Sequence, residues 1–238
     1  MTATASSVPV RAPARPRRPT GPHPGLLALI SLGLTLASLA TTALLGGGRV
    51  YVSPFATTAE IAGFYRQHAT ATRISATLLF GSAVPLGILA ATAYIRLLRV
   101  AVRVPGPSIG FFGGIAASLM LMISAISSWI LGRPEIGGTP GVAHALLFLS
   151  FLTGGVGFVT GLGLLVAGVA VPALVLHLVP RWLAVAGLVI AGLSELTFLA
   201  MALTSVQVLL PVGRYAGLLW LITAGFLLPT RRPHEEQR

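Results

Sequence analysis

The stretch that decides the fold is VAHALLFLSFLTGGVGFVTGLGLLVAGVAV, residues 142–171, which contains no Asp, Glu, Lys or Arg. As an α-helix it has a length of about 45 Å, whereas the hydrocarbon core of a bilayer is about 30 Å thick. A run this long and apolar is typical of a transmembrane helix. Its excess length predicts that the helix tilts, bends near residues 153–155, or extends beyond the membrane.

Five other apolar runs accompany this one, and together they predict an all-α transmembrane bundle of six helices. Only 9% of the residues are charged and 55% are hydrophobic, whereas soluble domains carry about 25% charged residues. We therefore expect residues 25–230 to form one transmembrane domain that has the lipid bilayer as a partner. The predicted spans are about 26–45, 74–98, 109–131, 142–171, 182–203 and 206–228.

The 16 basic side chains are all arginines, and they lie mainly between and beyond the apolar runs. They form no single patch, so a nucleic-acid partner is not predicted. With both termini in the cytoplasm, most arginines fall on the cytoplasmic side, as the positive-inside rule requires, and we predict this N-in/C-in orientation. The cytoplasmic set is Arg11, Arg15, Arg17, Arg18, Arg96, Arg99, Arg103, Arg181, Arg231, Arg232 and Arg238, and the outer set is Arg49, Arg66, Arg73, Arg133 and Arg214.

The two ends of the chain differ from the spans in composition. Residues 1–24 are rich in Pro, Ala and Arg, and such a segment buries too little apolar surface to fold. It is predicted to be a disordered cytoplasmic tail, and residues 231–238 a second, short cytoplasmic tail. The first apolar run, residues 26–45, is longer than the core of a signal peptide, so it is predicted to be a retained helix.

The longest outer connection precedes the second span. Thr57 and Glu60 have the spacing of a helix-capping box, and apolar residues then recur at helical intervals. This pattern predicts an amphipathic helix over residues 57–72 on the outer surface. A candidate outer-side polar site comprises Glu60, Arg66, Arg73 and His144, the alternative being that the segment only connects and shields the bundle.

Two charged residues lie deep within predicted spans, far from either end, where a charge is costly and so indicates a role. Glu195 lies about 21 Å from the cytoplasmic end of its helix, and Arg214 about 22 Å from the same end of the next, antiparallel helix. At matching depths they form a candidate intramembrane ion pair, or a candidate ligand site in an outward-open cavity. Alternatively, Arg214 extends to the outer headgroups without contacting Glu195.

Small and hydroxyl-bearing residues indicate where helices meet. Gly154, Gly161 and Gly168 recur every seven residues and predict a smooth face for close helix packing. A weakly polar stripe on the first helix predicts hydrogen bonds between helices, and it consists of Ser31, Thr35, Ser38 and Thr42.

Several kinds of site have no signal in the sequence. The chain contains no cysteine, which excludes disulfides and thiolate metal sites. It also lacks the GxGxxG, GxxxxGK[ST], HExxH and GxSxG patterns of nucleotide, zinc and hydrolase sites. We predict no metal and no cofactor, and an enzyme is not the favoured class.

The C-terminal third carries a family resemblance. The residues concerned are Pro180-Arg181-Trp182-Leu183 through Gly187, then Leu210-Pro211, Trp220 and Gly225-Phe226-Leu227-Leu228-Pro229. They resemble a family of uncharacterised actinobacterial multi-pass membrane proteins of unknown function. The resemblance implies a six-helix bundle in a bacterial plasma membrane, and it implies no particular activity.

The sequence therefore favours a non-enzymatic membrane protein of permease-like, ligand-binding or sensory type. One alternative is a structural or accessory subunit of a larger complex, with a membrane-protein partner or a second copy of the chain. Another is an intramembrane enzyme that uses Glu195 as a general acid or base. The bias towards arginine and alanine is typical of a GC-rich bacterial genome, so we expect the bacterial cytoplasmic membrane.

Overall fold

The computed structural model describes residues 21–48, 52–100 and 104–229, and these residues form helices and no strand. Most of the two predicted tails, residues 1–20 and 231–238, lies outside the described residues. The helices are α1 (Pro24–Leu45), α2 (Thr58–Gln67), α3 (Ala69–Arg99), α4 (Gly106–Leu131), α5 (Pro134–Gly137), α6 (Pro140–Phe151), α7 (Phe158–Val175), α8 (Arg181–Glu195) and α9 (Leu209–Leu227). A π-helical segment, Leu152–Gly157, joins α6 to α7, and the 3-10 segments Leu196–Met201 and Thr204–Val208 join α8 to α9.

Six stretches of the described chain are long and apolar enough to cross a membrane, which confirms the all-α, six-helix prediction. The largest difference from the predicted spans is at the second helix, which begins at Ala69 and not at Ile74. The six stretches are Pro24–Leu45, Ala69–Arg99, Gly106–Leu131, Pro140–Val175, Arg181–Met201 and Thr204–Leu227.

The spans form a closed ring in chain order. Helix α1 packs on α3, α3 on α4, α4 on α7, α7 on α8 and α8 on α9, and α9 returns to α1. Helix α7 also contacts α9 and contains many of the fully buried side chains, among them Phe158, Leu162 and Leu165. We call the end at which α1 begins and α9 ends the terminal end, and the opposite end, which carries α2 and α5, the loop end.

The amphipathic helix α2 begins where the sequence predicts it. Thr57 Oγ1 accepts a hydrogen bond from the backbone N–H of Glu60 at 3.3 Å, and Ile61 and Tyr65 are buried on one face. The helix ends at Gln67, because His68 departs from helical geometry with φ −113° and ψ 28°. Residues 69–72, which were predicted to belong to this helix, form the first turn of α3 instead.

Glycines bring α4 and α7 into backbone contact, as the seven-residue pattern predicts. A Cβ atom added to Gly161 would lie 2.7 Å from the backbone nitrogen of Ala117, and one added to Gly168 would lie 2.6 Å from the carbonyl oxygen of Gly106. At Gly154 the added atom would overlap the side chain of Ser124, also on α4. Such contacts allow close helix packing, which stabilises bundles in membranes where no hydrophobic effect drives helices together.

The terminal end is closed by a second backbone contact. A Cβ atom at Gly225 on α9 would lie 2.6 Å from the backbone nitrogen of Gly25 on α1. Arg96 of α3 donates from Nη1 to the carbonyl oxygens of Gly225 and Leu228, each at 3.4 Å. This places a cation at the C-terminal end of α9, where the helix dipole favours it.

Hydroxyl groups join α1, α3 and α4 in the middle of the bundle. Ser31 Oγ donates to the carbonyl oxygen of Ser82 at 2.8 Å, and the hydroxyls of Ser38 and Ser75 lie 2.8 Å apart. Ser118 Oγ donates to the carbonyl oxygen of Ala83 at 2.8 Å. Two members of the predicted polar stripe of α1 therefore form hydrogen bonds between helices.

Candidate ligand-binding site

The longest span changes its helical geometry near the loop end, where the sequence predicts a bend. The π-helical segment Leu152–Gly157 contains Gly154, Gly155 and Gly157, which have low helix propensity. Thr153 Oγ1 donates to the carbonyl oxygen of Leu149 at 2.7 Å, which is known to weaken regular helical bonding. Short π-helical segments of this kind are frequent at functional sites.

Arg214 is directed towards this π-helical segment. Its Nη2 donates a hydrogen bond to the carbonyl oxygen of Gly154, and its Cζ lies 4.8 Å from the centre of the Phe158 ring. A charge-assisted hydrogen bond and a cation–π contact both stabilise a guanidinium in apolar surroundings. The first turns of α9 thus hold a cation against the one irregular segment of the longest span.

A cavity of about 480 Å³ lies beside Arg214 at the loop end. Its wall is built from α1, the segment before α2, α2, α3, α4, α6, the π-helical segment and α9. Ligand sites in proteins commonly have volumes of about 300–1,000 Å³ and apolar walls with a few polar groups. The cavity therefore has the size and composition of a site for a small molecule.

The polar part of the wall consists mainly of hydroxyl groups. Arg214 is the one charged side chain among the described residues that line the cavity. Because a hydroxyl group both donates and accepts hydrogen bonds, this wall suits a ligand with several oxygen atoms. The serine and threonine hydroxyls include those of Thr42, Thr72, Ser75, Ser124, Ser128 and Ser150, and the tyrosines are Tyr65 and Tyr215.

Three of these serines form a cluster between α4 and α6. Ser124 Oγ donates to the carbonyl oxygen of Ser150 at 2.9 Å, and the hydroxyls of Ser124 and Ser150 lie 3.0 Å apart. The hydroxyls of Ser128 and Ser150 lie 2.8 Å apart. The cluster fixes the position of α6 just before the π-helical segment and presents rotatable donors at the cavity wall.

The structure does not join Glu195 and Arg214 in an ion pair. Their depths do match, because a Cβ atom at Gly213 would lie 2.8 Å from Ser194 Oγ. Their directions differ, however. Glu195 Oε1 is directed towards Gly163 of α7 and has no hydrogen-bond partner among the described residues, whereas Arg214 is directed towards Gly154. The two residues lie at matching depths on neighbouring helices, but their side chains reach different levels of the span Pro140–Val175.

Glu195 also does not line the loop-end cavity. Gly163 and Gly154 are nine residues apart, which is about 13 Å along a helix axis. The hypothesis of an acid–base site in which Glu195 acts beside Arg214 therefore gains no support from this geometry.

The four residues of the predicted outer-side polar site lie in separate surroundings at the loop end. Arg66 Nη2 donates to the carbonyl oxygen of Gly138 at 3.3 Å, and the Arg73 side chain packs against Gly132. Glu60 lines a different, smaller cavity. Glu60, Arg66 and Arg73 do not contribute to the wall of the large cavity. His144 does not contribute to it either.

His144 connects α6 to the segment that precedes α2. Its Nε2 lies 2.9 Å from the carbonyl oxygen of Pro54, and its Nδ1 lies 3.3 Å from Thr58 Oγ1. Its ring stacks on that of Phe148 with 5.0 Å between the ring centres. These contacts position the residues that cover the loop end of the cavity, Val52 to Pro54 among them.

The ranges 21–48, 52–100 and 104–229 contain no group of three His, Asp or Glu side chains close enough to hold a metal ion.

Comparison of the chain with models of protein families, with curated proteins and with solved structures gives no match. The resemblance to actinobacterial membrane proteins therefore stays a prediction.

Proposed function

We propose that this six-helix membrane protein is a permease-like or sensory protein that binds a small amphipathic anion in its loop-end cavity. The observation that carries the proposal is the position of Arg214, a cation on the wall of a cavity of about 480 Å³ otherwise lined by hydroxyl and apolar groups. No described feature of the packing of the bundle requires a cavity of this size at that place.

The wall specifies the chemical class of the ligand. A guanidinium recognises carboxylate, phosphate or sulfonate groups, which accept its parallel donors. The serine cluster of Ser124, Ser128 and Ser150 supplies further hydrogen bonds. Leu79, Leu147 and Phe151 line the same cavity and suit a hydrophobic body. The ligand is therefore an organic anion with one acidic group and an apolar remainder.

We further propose that the protein lies in a bacterial cytoplasmic membrane with both termini in the cytoplasm. The distribution of the arginines supports this orientation, because eleven of the 16 fall in the segments assigned to the cytoplasmic side. The loop-end cavity then belongs to the outer half of the protein. Alkaline phosphatase, which is active only outside the cytoplasm, should be inactive when fused at either terminus, and activity from either fusion contradicts the orientation.

The accessory-subunit hypothesis has less support from the described residues. Gly154, Gly161 and Gly168 are all used within the chain, against α4, so this glycine face is not left for a partner protein. The enzyme hypothesis gains no support from Arg214, because Glu195 Oε1 faces Gly163 whereas Arg214 is directed towards Gly154.

The proposal is tested by equilibrium binding of 2-naphthoate, an aromatic carboxylate small enough for the cavity. The protein is reconstituted in nanodiscs, and empty nanodiscs give the background. Its neutral analogue, 2-naphthalenemethanol, has the same ring system without the charge. We expect saturable binding of the carboxylate and at least about tenfold weaker binding of the alcohol, because an Arg–carboxylate contact contributes about 1.5–3 kcal/mol.

Matched variants assign the binding to the cavity. Arg214→Gln removes the charge but keeps a donor for Gly154, and Arg214→Lys keeps the charge. We expect binding to be lost in the first and largely kept in the second. Arg133→Gln is the control, because Arg133 is a half-buried loop-end arginine paired with Glu135 at 3.7 Å and does not line the cavity. Equal affinity in Arg214→Gln and Arg133→Gln contradicts the proposal.

A further inference from the structure

A second cavity, of about 430 Å³, lies on the outer face of α3 towards the terminal end. Its floor follows one side of that helix, through Gly87, Ile88, Ala91 and Ile95, and the short segment Gly21–Pro22 forms a wall. Ile88 and Ile95 are 43% and 45% exposed, so this apolar floor faces away from the bundle. In a membrane protein such a face lies against lipid. We call this cavity the α3 groove.

Two arginine side chains lie at the end of the α3 groove nearest the terminal end of the bundle. Arg96 and Arg99 both line it and are one helical turn apart at the C-terminal end of α3. The described carboxylates are Glu60, Glu135 and Glu195, and all three lie in the half of the protein nearer the loop end. The terminal end of the described structure therefore presents positive charge without a described acidic residue.

The dimensions match those of a lipid in one leaflet. Gly87 and Arg96 are nine residues apart, about 13 Å along the helix, which is close to half the thickness of the hydrocarbon core. An acyl chain on the apolar floor thus places its headgroup beside the two arginines. Thr92 does not interrupt the floor with an unsatisfied polar group, since its hydroxyl donates to the carbonyl oxygen of Ile88 at 2.8 Å.

We propose that the α3 groove binds one phospholipid with an anionic headgroup. Basic groups between helices at a membrane surface are known to bind such headgroups, and each cation increases the affinity. A free phosphate ion fits the arginines but leaves the apolar floor uncovered. A second copy of the chain placed symmetrically on this face would bring two pairs of arginines together, which is unfavourable.

Native mass spectrometry of the full-length protein tests the proposal directly. Delipidated protein is exposed to an equimolar mixture of phosphatidylglycerol and phosphatidylcholine, and the bound lipids are counted. We expect one phosphatidylglycerol to be retained, in about 25-fold preference over phosphatidylcholine, because each of the two cations that contact the charged headgroup contributes about fivefold. Addition of phosphatidylglycerol should also raise the melting temperature more than phosphatidylcholine does.

Variants separate the headgroup contact from the groove itself. Arg99→Gln should lower phosphatidylglycerol retention about fivefold, and Arg99→Lys should restore it. Ala91→Trp fills the apolar floor and should lower retention of the lipid without regard to its headgroup. The controls are Arg181→Gln, at an exposed arginine of the same end, and Ala40→Trp, at an exposed alanine of α1, neither of which lines the groove.

Three results overturn the proposal. One is equal retention of the two lipids by the wild-type protein. Another is retention in Arg99→Gln that matches retention in Arg181→Gln. The third is a change in the fraction of dimer, with no change in bound lipid, when Ala91→Trp is compared with Ala40→Trp. That result identifies the face as a contact between copies of the chain.

Discussion

The two ends of the bundle differ in what fills the space between their helices. Towards the terminal end, backbones meet at Gly25 and Gly225 and at Gly106 and Gly168, and a carbon atom added at Gly225 or Gly168 would lie 2.6 Å from a backbone atom of the facing helix. At the loop end the same helices surround a cavity of about 480 Å³ with hydroxyl groups and Arg214 on its wall. One ring of helices is thus closed at one end and hollow at the other.

This difference assigns packing to the closed part of the bundle and binding to the hollow part. In the closed part, glycines contribute stability by allowing van der Waals contact between backbones. In the hollow part, the wall residues contribute fewer packing contacts and present polar groups to a space large enough for a ligand. We therefore expect a carbon atom added at a glycine to reduce stability more in the closed part than in the hollow part, and we expect substitutions to weaken ligand binding only where they alter the wall of the hollow part.

The largest expected effect is the difference in the free energy of unfolding when a glycine is replaced by alanine at one end or at the other. Gly168→Ala places a Cβ atom against the backbone of Gly106 and Gly110, which cannot move without displacing α4, and should destabilise the protein by about 2–3 kcal/mol. Gly155→Ala makes ordinary contacts, with Leu210 Cδ1 at 3.5 Å and with Leu210 Cδ2 and Phe151 Cε2 at 4.0 Å, and should change stability by less than about 0.5 kcal/mol. Unfolding in mixed micelles, followed by circular dichroism, measures both. Similar losses in the two variants contradict the distinction between the ends.

The next largest effect is the difference in stability loss between substitutions of two arginines that bind backbone carbonyl oxygens. Arg214→Gln weakens a charge-assisted bond to Gly154 and the contact with Phe158, and we expect a loss of about 1.5–2 kcal/mol. Arg96→Gln weakens two long hydrogen bonds of 3.4 Å at the terminal end and should cost less. The same unfolding experiment ranks the two variants, and the reverse order counts against a special role for the π-helical segment.

A smaller effect distinguishes a hydroxyl group that lines the cavity from one that only joins helices. Ser150→Ala and Ser31→Ala each remove hydrogen bonds between helices, and we expect each to cost about 0.6 kcal/mol. Only Ser150 lines the loop-end cavity, so only Ser150→Ala should also weaken 2-naphthoate binding. An equal change in affinity for both variants indicates that the change reflects general loosening of the bundle.

The smallest effect concerns His23, which precedes α1 at the terminal end. Burial, together with the nearby Arg96 cation, lowers the pKa of this imidazole from its ordinary value of 6.5. The unfolded chain therefore binds more protons around and below pH 6.5, so stability should fall slightly as the pH is lowered through that range. His23→Phe, which preserves the ring contact with Phe226, should remove this part of the pH dependence. An unchanged pH profile in the variant contradicts the assignment.

The membrane fold could be predicted from the sequence because it depends on the length and apolarity of each run. The bounds of α4, at 106–131 against a prediction of 109–131, show how closely hydropathy locates a helix. The glycine face of α7 was also predictable, since a seven-residue spacing keeps residues on one side of a helix. Both features depend on residues near one another in the chain.

The site was less predictable because it depends on direction around each helix and on residues from many helices. Glu195 and Arg214 were placed at matching depths, yet counting residues does not show that one side chain is directed towards Gly163 and the other towards Gly154. Ser124, Ser128 and Ser150 were not singled out as site residues, because single serines in apolar runs are common. Their only signal is convergence in space, which appears when α4 and α6 are packed together.

Cysteine labelling tests the contrast between the two ends most directly, because the chain has no cysteine of its own. Ser150→Cys places a thiol in the loop-end cavity, and Ala170→Cys places one in the closed part of α7, where Ala170 is 0% exposed. We predict that N-ethylmaleimide modifies the first thiol and not the second, and that 2-naphthoate protects the first. Equal reactivity of the two thiols, or modification of Ser150→Cys unaffected by 2-naphthoate, contradicts the account of a binding cavity at the loop end.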